Sequence, residues 1–157
     1  MSRISPFLWF DDQAEEAAKL YVSLFPNSKI TSVSRYGEAG PGEPGSVMIV
    51  SFELDGLSVT ALNGGPVFKL SEAFSMSVDC ADQAEVDRYW DALIEHGGQP
   101  SQCGWLKDRF GLSWQIVPRA LPRLLGDPDR AKAQRVMAAM LKMHKLDVAA
   151  LEAAAQG

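Results

Sequence analysis

With 157 residues, 46% of them hydrophobic, and a formal net charge of −5, the chain is long enough to bury roughly 70% of its unfolded surface in one domain or two fused modules. Disulfides are unnecessary at that size, and the two cysteines, Cys80 and Cys103, read as free thiols of a reducing compartment. The acidic balance, with no basic run and no basic–aromatic stripe, excludes a nucleic-acid partner. No apolar run reaches the ~20 residues of a membrane span, and the opening MSRISPFLWF lacks the apolar stretch and cleavage site of a signal peptide, so the expectation is a cytoplasmic protein.

Residues 4–10 are apolar and aromatic and predict a buried first strand. Asp12 is a candidate N-cap with Glu15 three residues on, in the manner of a capping box. Ala14, Ala17, Ala18, Tyr21, Val22 and Phe25 then form one helical face that Pro26 ends. A strand is predicted over 29–36. The glycine- and proline-rich 37–45, GEAGPGEPG, is a loop, either a plain connector or a flap over a cavity mouth. Two further strands, 46–55 and 57–63, meet at Asp55-Gly56, a strong hairpin signal.

The pattern then restarts. A strand is predicted over 74–80, and Asp82-Gln83-Ala84-Glu85 repeats Asp12-Gln13-Ala14-Glu15 letter for letter before a second helix whose apolar face is Val86, Tyr89, Trp90, Leu93 and Ile94. Gly97-Gly98 ends that helix, and 99–102 is a weak strand. Matching letters at matching places imply an internal duplication: two βαβββ modules, 1–66 and 67–118. A helical tail, 119–157, follows. Asp127-Pro128 is expected to cap its helix, with Val136, Met137, Met140, Leu141 and His144 on one face, and Asp147 to cap a last helix. The methionine-rich stripe has to cover its own domain or a partner subunit.

The most informative stretch is 103–118, CGWLKDRFGLSWQIVP. It predicts a hairpin turning at 108–111, with Gly111 left-handed, Asp108 opposite Leu112 and Trp105 opposite Gln115. Alternation then puts Cys103, Trp105, Lys107, Ser113 and Gln115 on one face and Leu106, Trp114 and Ile116 on the other. The second set suits a core and the first a cavity wall, although core packing is equally open to Trp105.

Asp108, Gly111 and Gln115 at this spacing resemble the last strand of the vicinal oxygen chelate superfamily, which includes glyoxalases, dioxygenases and bleomycin resistance proteins. The segments LNGGP (62–66), DQAEVDRYWDAL (82–93) and the hairpin string, with the tail segment MLKMHKLDVAAL, narrow the likeness. The chain resembles the 3-demethylubiquinone-9 3-methyltransferase-like, PhnB-like family. The resemblance implies an α+β glyoxalase fold, two tandem βαβββ modules enclosing a cavity, and a homodimer, and the methionine-rich stripe favours placing the tail near its interface. It also implies metal ligands from the first, fourth, fifth and last strands. Here those places hold Ser5, Pro6 and Phe7, then Thr60 and Ala61, then residues 73–75, then Gln115. One amide is too poor a ligand set for a transition metal, so no metal and no cofactor are expected.

No serine–histidine or cysteine–histidine arrangement stands on the predicted strands. Cys103 is a nucleophile if Lys107 lowers its pKa, and otherwise a small thiol lining a cavity. Arg35 and Tyr36, at a strand end, either contact an anionic ligand or are simply exposed. The residues expected to line a small-molecule site are Asn63, Ser75, Ser77, Cys103, Trp105 and Gln115, with Trp9 or Phe10 beside them. The leading reading is a small-molecule binding protein. The alternatives are an enzyme of the superfamily with displaced metal ligands (a lyase, isomerase or dioxygenase) and, on the family name alone, a methyltransferase. No glycine-rich strand-to-helix loop supports the last of these.

Overall fold

The computed structural model describes residues 2–157, and Met1, in the expected first module, lies outside them. The chain divides into two compact units, 1–70 and 71–157. Each contains one four-stranded sheet, and the two sheets share one plan.

The first unit runs β1 (Phe7–Phe10), α1 (Ala14–Leu24), β2 (Lys29–Arg35), β3 (Val47–Leu54) and β4 (Leu57–Asn63), with sheet order β1-β4-β3-β2. Only β1–β4 is parallel. Ala14, Ala17, Ala18 and Tyr21 of α1 are fully buried, as is Val50 of β3. Three alanines on one face let the helix backbone approach the sheet closely, and Tyr21 fills the remaining space against Phe52, ring centroids 6.3 Å apart. Asp55 and Gly56 both have positive φ, +46° and +85°, the backbone that a two-residue turn needs to match strand twist. The first strand is shorter than expected, and Ile4 is exposed.

The second unit runs β5 (Ser75–Cys80), α2 (Gln83–Ile94), β6 (Gln99–Pro100), β7 (Trp105–Lys107) and β8 (Ser113–Pro118), then α3 (Ala120–Leu125), α4 (Arg130–Met140) and α5 (Val148–Gln156). Its sheet order, β5-β8-β7-β6, has β5–β8 as its parallel pair. The duplication seen in four letters is therefore a duplication of topology.

The repeated letters do different work in the two copies. Asp82 accepts from the Glu85 amide at 3.0 Å, and Glu85 reaches back to the Ala81 amide at 3.2 Å, close to a capping box. Asp12 is not a cap. The N-cap of α1 is Gln13, without a side-chain cap bond. The Ala14 amide is instead satisfied at 2.8 Å by Asn63 Oδ1 from β4. Gln13 is exposed, whereas Gln83 docks the tail: it accepts from the Val148 amide at 2.7 Å and donates to the Leu146 carbonyl at 3.1 Å.

The tail covers its own unit. Leu121, Leu124, Val136, Leu146, Leu151 and Ala155 form a buried cluster joined by Met140 and Met143. Asp147 caps α5, as expected. The cap of α4 is Asp129, not Asp127, because the chain enters its helix two residues later than Asp-Pro suggests. The helix ends at Met140, Leu141 is exposed, and His144 lies beyond the helix instead of on its face.

Candidate functional site

The hairpin that carries the site closes as its sequence requires. Trp105 faces Gln115, Leu106 faces Trp114 and Lys107 faces Ser113. Gly111 has φ +94°, and the Asp108 amide donates to the Leu112 carbonyl at 2.9 Å. Leu106, Trp114 and Ile116 are buried against the helical side, at most 2% exposed. Trp105, Lys107 and Gln115 are half-buried on the other face.

Asp108 does more than turn the chain. It is 3% exposed. Its Oδ1 accepts from the amides of Phe110 (2.9 Å) and Leu112 (3.1 Å), and its Oδ2 from the Trp114 indole N–H (2.9 Å). A buried carboxylate is tolerable only when donors replace its water, and here they also fix the register of β7 on β8. An indole N–H facing the core six residues after an aspartate was the sequence signal for this anchor.

On the open face of this sheet, the parallel register sets Ser75 beside Ser113 and Ser77 beside Gln115. Gln115 Nε2 donates to Ser75 Oγ at 3.0 Å. Ser75, Ser77, Trp105 and Gln115 are thus brought to one face. Cys103 is not on it by strand alternation: β7 begins at Trp105, and Cys103 sits in a left-handed turn with φ +59°. The Cys103 and Gly104 amides donate to the Met143 and His144 carbonyls, each at 2.8 Å. A Cβ on Gly104 would come within 2.8 Å of Leu146 Cδ1, so glycine there lets the tail seat.

A recess of about 190 Å³ opens beside this face, lined by Glu72, Gln99, Ser101, Trp105, Lys107 and Ser113 among others. Lys107 pairs with Glu72. That hydrogen bond, then Glu72's own backbone and the lysine's charge, hold the Glu72 carboxyl below its ordinary pKa. Glu72 comes from the segment before β5, where no periodicity marks it. The Ser113 hydroxyl is buried without a hydrogen-bond partner among the described residues.

Asn63, Trp9 and Phe10 belong to the first unit. Both halves of the Asn63 amide are engaged: Oδ1 at the Ala14 amide, and Nδ2 donating to the Val47 carbonyl at 3.2 Å. The Asn63 carbonyl accepts from the Tyr36 hydroxyl at 2.5 Å, and Tyr36 is buried, not an exposed strand end. Trp9 Nε1 donates to the Gly65 carbonyl at 2.9 Å, and Phe10 is core. Asn63 and Tyr36, but not Trp9 or Phe10, line a cleft of about 620 Å³ that also takes in Asp11, Asp12, Glu15, Glu16 and Glu43 and part of the 37–45 loop. No cationic side chain lines it. Carboxylates at the start of α1 favour the helix dipole, which accounts for most of them as structure.

The thiols differ. Cys80 is fully buried, and burial first, then the Glu85 and Asp79 carboxylates, push its pKa up to about 12; it is no nucleophile. Cys103 is half-buried. Neither histidine stands on a sheet: His96 follows the end of α2 beside Glu95, and His144 Nδ1 donates to the Ser101 carbonyl at 2.7 Å. Among the described residues no group of three or more His, Cys, Asp or Glu is placed to hold a metal ion, and Gln115 with Ser75 offers only neutral oxygens and an amide. The residues present do not fit the superfamily's metal site.

The comparisons agree with this topology. The family model described as 3-demethylubiquinone-9 3-methyltransferase matches residues 2–117, so the tail lies beyond the matched residues. A Bacillus cereus PhnB protein, described as a 3-demethylubiquinone-9 3-methyltransferase, is 34% identical with a TM-score of 0.69, over 74% of this chain and 99% of that one. A Pseudomonas aeruginosa protein is 21% identical with a TM-score of 0.62, over 75% and 98% of the two chains. A glyoxalase/bleomycin resistance protein from Albidiferax ferrireducens is 14% identical with a TM-score of 0.50, over 75% and 99%, a likeness of fold alone. Comparison with curated proteins gave no match. With its two βαβββ sheets and a family match over most of its length, this chain belongs to the 3-demethylubiquinone-9 3-methyltransferase-like, PhnB-like family.

Proposed function

We propose that this glyoxalase-fold protein binds a small organic molecule on the open face of its second sheet, without a metal, and that it works as a cytoplasmic homodimer. The observation that carries the reading is the Gln115–Ser75 hydrogen bond beside the half-buried Trp105. An aromatic wall with a few fixed amides and hydroxyls is how proteins orient small organic ligands. Glutamine in this place supplies hydrogen bonds where a carboxylate would supply a metal ligand.

Two observations support the remaining parts. Phe7, Val67, Phe68 and Phe74 are each at least 44% exposed, apolar surface that a second subunit would cover. Both cysteines are free, which suits a reducing compartment, and no helix of the described residues is long and apolar enough to cross a membrane. Methyl transfer, the reaction in the family description, finds no support in these residues. Neither strand-to-helix turn, 11–13 or 81–82, holds a glycine, and neither sheet is the parallel, doubly wound kind that seats nucleotide-like cofactors.

Ligand-observed NMR against a library of small organic molecules, repeated with Gln115→Ala and Trp105→Ala, tests the reading. Compounds that bind the native protein are expected to bind these variants at least about tenfold more weakly, the loss of ~1.4 kcal/mol. Binding unchanged in both variants would place the ligand elsewhere and sink the assignment.

A further inference from the structure

The recess beside Trp105 holds three features that its architecture does not use. The Ser113 hydroxyl, on a residue 2% exposed, has no partner among the described residues. A buried unpaired hydroxyl is costly, and a ligand is one of the groups that can satisfy it. Directly across the strand pair stands Lys107, a cation at the lip of a recess otherwise lined by neutral groups and one carboxylate. That carboxylate, Glu72, is the lysine's partner. Its side chain is 66% exposed and comes from outside the sheet. An ion pair that open contributes little to stability, and a better anion can displace it.

We infer that the recess binds a small carboxylic acid, whose carboxylate replaces that of Glu72 on Lys107, accepts a hydrogen bond from Ser113, and lays its carbon body against Trp105. Glu72 is a tethered stand-in: it occupies the anion position when the ligand is absent and swings away when it arrives. The volume sets the ligand's size. About 190 Å³ equals roughly six water molecules at ~30 Å³ each, room for a short-chain or single-ring acid. Lysine supports a point-charge contact instead of a bidentate clamp, so the carboxylate is held by two different donors, one charged and one neutral. The inference rests on the small-molecule reading above and specifies its chemistry.

The test is saturation-transfer NMR of the full chain with butyrate and benzoate, each against its neutral amide, butyramide or benzamide. The acids are expected to bind about tenfold more tightly than the amides, the scale of one charge-assisted contact. Glu72→Gln is expected to raise acid affinity about threefold or more by removing the internal competitor, and to leave the amides unchanged. Lys107→Met is expected to erase the preference for acids. Equal binding of acid and amide with a Gln115-dependent response would overturn the carboxylate assignment and leave the small-molecule reading standing. So would a Glu72→Gln variant with unaltered acid affinity. Failure of both classes to bind would overturn the carboxylate assignment, and the library screen above then decides the small-molecule reading.

Discussion

Removing the Asp108 carboxylate should be the most damaging single change in the hairpin. Asp108→Ala strands three donors at once: the amides of Phe110 and Leu112 and the indole of Trp114, now held at 2.9, 3.1 and 2.9 Å. Hydrogen bonds to a charged group contribute ~1.5–3 kcal/mol each, and a buried donor left alone costs ~1–3. The three are not additive, and removing the carboxylate also removes its own burial cost, so the net loss is about 3–5 kcal/mol. In a chain of this length that lowers Tm by about 6–20 °C. Asp108→Asn keeps one acceptor oxygen but turns an NH2 toward another donor, and should lose roughly half as much. Urea titration of native, Asn and Ala proteins at one fixed protein concentration measures this directly. A loss below about 1 kcal/mol for Asp108→Ala would refute the reasoning and mean that water or another group already serves those donors.

The two copies of the Asp-Gln-Ala-Glu motif predict unequal costs: Asp82→Ala should lose about 1 kcal/mol as a true cap, Asp12→Ala under about 0.5 as a surface change, and Asn63→Ala more than either in the same urea titration. A thiol reagent should modify one of the two cysteines in the native state, Cys103, and none in Cys103→Ser, because Cys80 is sealed and its thiol is held protonated. The tail's ion pair gives a pH test: Gln83 first, then Lys145, hold the Asp87 carboxyl below its ordinary value. An acid with a depressed folded pKa contributes stability that is complete above its unfolded pKa, near 4, and is lost as pH falls through the lower folded value. The Tm gap between native protein and Asp87→Asn should therefore hold from neutral pH down to about 5 and close below about 4.

How much of this was legible depended on how local each determinant is. Hairpin register was readable because Gly111 and strict alternation act within a few residues. The repeat was readable because topology follows from element order. The first helix cap was not, because Asn63, far along the chain, reaches the Ala14 amide that Asp12 was expected to serve. Asp108 looked like an ordinary turn residue until Trp114 was seen to need an acceptor. Cys103 looked like a strand residue because nothing in its neighbours announces the left-handed turn that lets the tail dock at Gly104. Glu72 lies in a segment without periodicity, and its meeting with Lys107 is purely tertiary. The missed parts of the site are the long-range ones.

The most direct measurement of the central claim is native mass spectrometry of freshly purified protein, with elemental analysis of the same sample. The account predicts a dimer without stoichiometric metal, carrying a small organic adduct that leaves on denaturation. One tightly held divalent metal per subunit, with no organic adduct, would contradict it and mean that ligands outside the Gln115 face assemble a metal centre.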